Sequence, residues 1–88
     1  DIKFEDVDII LKNIPKSVYR VKGVVKVTDV PNPIVINYSF GNVSFEELDE
    51  YAHPSIMIFI GESILDDVDA LCEQYSYINI PKFKLTSF

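Results

Sequence analysis

The sequence predicts an α+β fold, a two-layer sandwich in which two helices cover one face of a mainly antiparallel sheet of roughly four to six strands. Residues 17–28 alternate apolar and polar side chains, which is typical of a strand with one buried face. Shorter strand-like runs follow at 34–40 and 56–60. Two other segments repeat apolar residues at the spacing of a helical face. Because the strands follow one another with only two helices among them, we expect neighbouring strands to pair.

The chain opens with a predicted short strand, Ile2–Glu5, and a helix over about Val7–Asn13. Asp6 is the candidate N-cap, because its carboxylate can accept hydrogen bonds from the first helical amides. Pro15 ends the helix, since it has no amide hydrogen and disfavours helical backbone at the residue before it. The apolar face of this helix consists of Val7, Ile10, Leu11 and Ile14.

The longest strand, Ser17–Thr28, is the segment around which we expect the sheet to form. Gly23 in its middle indicates either a bulge, which would exchange the faces beyond it, or the close approach of another backbone. One side of the strand is basic and carries Arg20, Lys22 and Lys26. These cations are either ordinary exposed residues or a surface that docks an acidic protein or a phosphate, and the pattern leaves both open.

A hairpin and an apolar strand follow. Pro31–Pro33 forms a turn, residues 34–40 form a strand, and Gly41-Asn42 is a two-residue turn signal before a returning strand, Val43–Phe45. Residues 46–50 form an acidic loop or one helical turn. Ile56–Ile60 is apolar at every position, which predicts a strand buried on both faces. A two-layer domain leaves one sheet face open, so we expect the tail, a partner chain or another domain to cover it.

The second helix is predicted over Ser63–Tyr75, with Ser63 as N-cap and an acidic outer face. Pro81 makes the tail, residues 76–88, a possible edge strand or an extended arm. The whole chain, residues 1–88, is expected to form a single domain. The apolar face of the second helix consists of Ile64, Leu65, Val68, Leu71, Cys72 and Tyr75.

The composition limits the classes of partner. A formal net charge of -6 argues against nucleic acid, which requires a basic footprint. No apolar run approaches the roughly 20 residues of a membrane span, so we expect no membrane partner. The one Cys excludes an internal disulfide framework, which agrees with the cytoplasmic location that we expect. Because Asp1 follows neither an initiator Met nor an apolar leader, we expect the domain to come from a longer protein.

Candidate chemical groups are few. The sequence has no phosphate-binding loop, nucleophile elbow or paired-cysteine zinc motif. His53 and Glu50, with neighbouring carboxylates, are weak candidates for a metal site, and the alternative is a solvated acidic loop. Cys72 on the apolar helix face is expected to be a buried structural thiol. No catalytic residue is predicted, because no acid, base and nucleophile converge.

One run of residues resembles a known family. Residues 14–23, Ile-Pro-Lys-Ser-Val-Tyr-Arg-Val-Lys-Gly, are similar to the "LPxxVYRxKG" run that opens the C-terminal domain of CobW-type GTPases. In that family a strand ending in "hFIG" and then a helix come later, and Ile58–Gly61 and Ser63–Tyr75 stand here in the same order. The resemblance covers about residues 4–75.

The resemblance implies a non-catalytic C-terminal accessory domain of a CobW-like GTPase, or metallochaperone, that handles a metal or the cobalamin cofactor. It would dock the N-terminal GTPase domain of the same chain, a client metalloprotein or another copy of itself. GTP, magnesium and a transition metal would belong to the parent, with no cofactor in this fragment. The predicted interaction motif is Tyr19, Arg20, Lys22 and Gly23. An independent small-molecule or metal-binding α+β module is the alternative.

Overall fold

The computed structural model describes residues 2–88, and it confirms the α+β class. The two helices and five strands follow in the order α1 (Phe4–Lys12), β1 (Val18–Val25), β2 (Ile34–Ser39), β3 (Asn42–Glu47), β4 (Ile56–Gly61), α2 (Leu65–Gln74) and β5 (Phe83–Ser87).

The five strands form one sheet in the order β3-β2-β1-β4-β5, with β1 at its centre. Neighbouring strands run antiparallel except β4 and β5, which are parallel. A parallel pair needs a crossover between its strands, and α2 supplies it. The tail is therefore an edge strand, one of the two outcomes that its sequence predicted.

One hydrophobic core joins the helices to one face of the sheet. Its sheet side chains are Val18, Val21, Val25, Ile34, Ile36, Met57 and Phe59, and its helix side chains include Val7, Ile10, Leu11, Val68 and Leu71. Each helix buries the apolar face that its sequence predicted, apart from Leu65, which is exposed. This burial is the pattern expected when both helices cover the same sheet face.

The β-bulge lies at the start of β1, so the prediction of a bulge at Gly23 is wrong. The register against β4 shifts between Val18 and Arg20, whereas Gly23 pairs regularly with Met57. Because of the shift, Val18 and Val21 are both buried although their positions differ by three, which in a regular strand would put them on opposite faces. The alternation beyond Arg20 then continues unbroken.

The alternative prediction for Gly23, a close backbone approach, is confirmed. A Cβ added at Gly23 would overlap the carbonyl oxygen of Ile56 and lie 3.1 Å from the Cα of Met57. Those atoms belong to backbone, which cannot swing aside as a flexible side chain does. Glycine therefore lets β1 and β4 pack at this spacing.

The β2–β3 turn lies one residue earlier than predicted. Phe40 and Gly41 form it with φ angles of 46° and 89°, while Asn42 already pairs with Ser39. Two successive positive φ values are the signature of the type I′ turn, which matches the right-handed twist of paired strands. The twist requirement therefore places a phenylalanine in a conformation that glycine or asparagine usually adopts.

The predicted strand at Ile2–Glu5 is wrong, because α1 already begins at Phe4. Asp6 lies in the first turn and accepts a hydrogen bond from the backbone amide of Lys3, so it is not the N-cap. The amide of Phe4 donates to the carboxylate of Asp29, 3.0 Å away. A capping group from a distant part of the chain cannot be read from local sequence.

The start of α2 was also predicted too early. Ser63 has a φ of 48°, and Ile64 is the N-cap residue. The amide of Ile64 donates to the hydroxyl of Ser87 in β5. The edge strand thus supplies the polar group that the sequence analysis assigned to Ser63.

β4 is buried on one face only, which corrects the prediction of burial on both. Met57 and Phe59 are inaccessible to solvent, with 2% and 0% exposure. Ile56, Ile58 and Ile60 are half-buried and do not belong to the side chains that pack against the core. The sheet therefore has an open, partly apolar face, as a two-layer architecture requires.

Between residues 2 and 88 no helix has the length and apolar character needed to cross a membrane.

The two faces of β4 predict different costs for neighbouring substitutions. Phe59→Ala should lower the free energy of unfolding by about 3–5 kcal/mol, because it opens a cavity in the core. Ile58→Ala should cost about 1 kcal/mol, because only part of that side chain is shielded from water. Urea titration of both variants checks the difference, and equal costs would contradict the assignment of the faces.

Gly23→Ala should lower the free energy of unfolding by about 1–3 kcal/mol, because the added methyl overlaps the β4 backbone. The sign of this change is informative. Where the backbone tolerates alanine, replacing glycine usually raises the free energy of unfolding by about 0.4–1 kcal/mol, because alanine lowers the conformational entropy of the unfolded chain. Equilibrium denaturation measures the change. A stabilised variant would show that the close approach is not a constraint.

Candidate functional site

The open face is defined here as the strand positions that point away from the core. Its register follows from the strand pairing. The positions are Arg20, Lys22 and Val24 on β1, Val35, Asn37 and Ser39 on β2, Asn42, Ser44 and Glu46 on β3, Ile56, Ile58 and Ile60 on β4, and Lys84 and Thr86 on β5.

The centre of the open face is apolar. Val24 pairs with Val35 on one side and with Ile56 on the other, which makes a continuous row across three strands. Ile58 and Ile60 extend this apolar area along β4. All five side chains are half-buried, and none packs against the core. Apolar surface arranged in this way is typical of a protein-binding site.

Cations flank the apolar centre. Arg20 pairs with Ile60, and Lys22 pairs with Ile58, so each cation lies beside an isoleucine of β4. On the other side of Ile58 lies Lys84 of β5. The three cationic side chains are exposed. The open face can therefore offer both apolar contact and positive charge.

The predicted interaction motif is divided by the structure. Arg20 and Lys22 lie on the open face, whereas Gly23 lies on the core side, where it packs against β4. Tyr19 lies at the bulge, and its ring stacks on that of Phe40 with 5.4 Å between centroids. Burial, together with the nearby carboxylate of Glu62, raises the pKa of the Tyr19 hydroxyl.

The third predicted cation, Lys26, lies just beyond the end of β1. Its amide donates to the hydroxyl of Ser55, and its ammonium lies 5.9 Å from the ring centre of Tyr51. This geometry is a cation–π contact. Lys26 therefore helps to hold the β3–β4 connection instead of extending the row of cations on the open face.

His53 and Glu50, the weak metal candidates, are both exposed and border one wide, shallow concavity of about 560 Å³. Over residues 2–88, no three side chains among His, Cys, Asp and Glu come together as a metal-ligand set. His53 also borders a second concavity of about 270 Å³, together with Lys82 and Lys84. Its surroundings on that side are cationic.

Cys72 is half-buried and packs against the core. Burial, and secondarily the charge of Asp69, raise the pKa of its thiol. A raised pKa keeps the thiol protonated at neutral pH, and the protonated form is a poor nucleophile. This behaviour agrees with the structural role that the sequence indicated.

Lys84 belongs to the open face, although the sequence predictions do not include it. The signal was present, because Phe83 and Leu85 alternate with Lys84 and Thr86 as in a strand with one apolar face. Pro81 left an edge strand and an extended arm as alternatives for this segment. The parallel pairing that places Lys84 beside Ile58 depends on the α2 crossover, which short-range patterns do not reveal.

The comparisons with known proteins place this architecture in a family. A family model described as "Cobalamin synthesis protein cobW C-terminal domain" matches residues 2–72 of the 88. The match includes β1 and β4 and ends within α2, so β5 lies beyond it. No curated protein and no solved structure matches the chain. This match confirms the resemblance seen in the sequence, and the chain belongs to the cobW C-terminal domain family.

Proposed function

We propose that this is a non-catalytic accessory domain of a CobW-like GTPase that handles a metal or the cobalamin cofactor. In this proposal it docks the GTPase domain of its parent through the open face, and a client metalloprotein or another copy is a further partner. GTP, magnesium and the transition metal bind elsewhere in the parent, which acts in the cytoplasm. Membership of the cobW C-terminal domain family supports the accessory role.

The observation that carries the docking role is the apolar stripe of β4. Ile56, Ile58 and Ile60 alternate with core residues, yet remain half-exposed beside Val24 and Val35. A partner that covers these five side chains would remove apolar surface from water, and each Å² removed would favour the complex by about 25 cal/mol. A second protein surface is the natural source of such cover.

The domain itself offers little for catalysis. Its one histidine is exposed, and its one cysteine has a raised thiol pKa. Neither has a convergent acid, base and nucleophile around it among the hydrogen bonds of the described chain. An interaction role therefore fits the available groups better than an enzymatic one.

Ile58→Asp should weaken binding to the parent's GTPase domain by at least about tenfold, because a carboxylate would be buried at the interface. The folded state should survive, since Ile58 is outside the core. Isothermal titration of the purified GTPase domain with this domain measures the effect, and circular dichroism checks the fold.

Leu65→Asp is the matched control. Leu65 is 59% exposed, so the same substitution introduces the same charge at another apolar surface position. Its binding should stay within about twofold of the original, because α2 lies outside the proposed interface. Equal losses in the two variants, or no loss in Ile58→Asp, would contradict docking through the open face.

A further inference from the structure

The open face differs in charge from the rest of the molecule. The chain has 14 acidic and 8 basic residues. On the open face the ratio is reversed, because three strand positions are basic, Arg20, Lys22 and Lys84, and one is acidic, Glu46 at the β3 edge. A cationic surface on an otherwise acidic domain favours a partner that is negatively charged where it touches that surface.

The cations have no intramolecular partners within residues 2–88. The salt bridge in that part of the chain joins Lys12 to Asp8 within α1. Arg20, Lys22 and Lys84 form no ion pair there. Their charges are consequently available to a partner.

The spacing of these groups is informative. Ile58 lies in the sheet between Lys22 and Lys84, with one neighbour on each side. Strands lie about 4.8 Å apart, so the two lysines are separated by roughly 10 Å across an apolar ridge. An α-helix with its side chains is about 10–12 Å wide. A helix lying along β4 would therefore place one flank near each lysine.

We propose that the open face binds an amphipathic helix of a partner protein whose apolar stripe is flanked on both sides by carboxylates. This inference rests on the docking role proposed above and adds the chemistry of the partner. Apolar side chains of the helix would cover Ile58 and Ile60, and its Asp or Glu side chains would pair with Arg20, Lys22 and Lys84. Such pairing contributes specificity and association rate.

The surroundings of the open face extend its positive charge. A concavity of about 270 Å³ at the β4 start is bordered by Ile56, His53, Lys82 and Lys84. Lys82 and His53 add donors beyond the end of the apolar stripe. A helix longer than the strand would meet these groups with its next turn.

Other occupants fit less well. Two copies meeting through the same face would bring six cations into one interface, three from each copy, against only two carboxylates, the Glu46 of each copy. A nucleic acid would satisfy the cations, but its phosphates offer nothing apolar to Ile58, and the net charge of -6 repels it. The acidic amphipathic helix satisfies both the apolar and the cationic groups.

The probe is a synthetic helical peptide of roughly 18 residues, or five turns, with a leucine stripe flanked by glutamates. A matched peptide carries glutamine in place of every glutamate. Titration followed by backbone amide chemical shifts should place the acidic peptide on β1 and β4. The glutamine peptide should bind about tenfold more weakly, and added salt should weaken the acidic peptide alone.

Charge variants of the domain test the same point. Lys22→Gln with Lys84→Gln should reduce affinity for the acidic peptide about tenfold. Lys12→Gln with Lys16→Gln changes the net charge equally but lies off the open face, so affinity should stay within about twofold. Equal losses in the two double variants would overturn the proposal, because binding would then follow net charge alone.

The remaining outcomes separate this inference from the docking role. If Ile58→Asp abolishes binding of both peptides while charge and salt have no effect, the docking role stands and the acidic partner is wrong. If Ile58→Asp has no effect on either peptide, the acidic-helix inference is wrong, whereas the docking role is decided by the titration of the GTPase domain. Tighter binding of a single-stranded oligonucleotide than of the acidic peptide, or a self-association that Ile58→Asp disrupts, would also overturn the acidic-helix proposal.

Discussion

The close pairing of β1 with β4 is the constraint on which the rest of the structure depends. β1 is the central strand, and β4 links it to both α2 and β5. Gly23 permits this pairing, because any side chain there would overlap the β4 backbone. Along the shared register, Val21 meets Phe59 at the core while Lys22 meets Ile58 on the opposite side. The same hydrogen-bonded ladder therefore builds the hydrophobic core and sets out the open face.

That arrangement determines both the core and the open face. The core takes every second residue of β4, and the intervening isoleucines remain half-exposed on the open face. Helices cannot cover both faces in a two-layer domain, so an apolar strand inside the sheet leaves apolar side chains on the open face. Arg20, Lys22 and Lys84 lie beside that surface in an acidic chain, and the proposed acidic partner would match their charge. Family membership indicates an accessory domain, and the proposed docking role rests on the open face.

Much of this could be predicted from local sequence. Period-two and helical patterns located β1, β2, β4 and both helices, because burial on one side imposes those periods directly. The errors arose where distant groups decide the backbone. Asp29 caps α1 and Ser87 contacts the start of α2, so Asp6 and Ser63 were assigned roles that other residues perform. The open face was expected from the apolar β4 run, but Lys84 became part of it only through the parallel β5 pairing.

Native-state amide hydrogen exchange tests the central place of the β1–β4 pairing most directly. If that ladder holds the fold together, the amides of Lys22, Ile58 and their alternate neighbours along β1 and β4 should exchange only through global unfolding. Amides of the edge strands β3 and β5 should exchange through local openings that cost less free energy than global unfolding. Protection that is greatest in the β2–β3 hairpin, with β1–β4 amides exchanging through a smaller opening, would contradict the account.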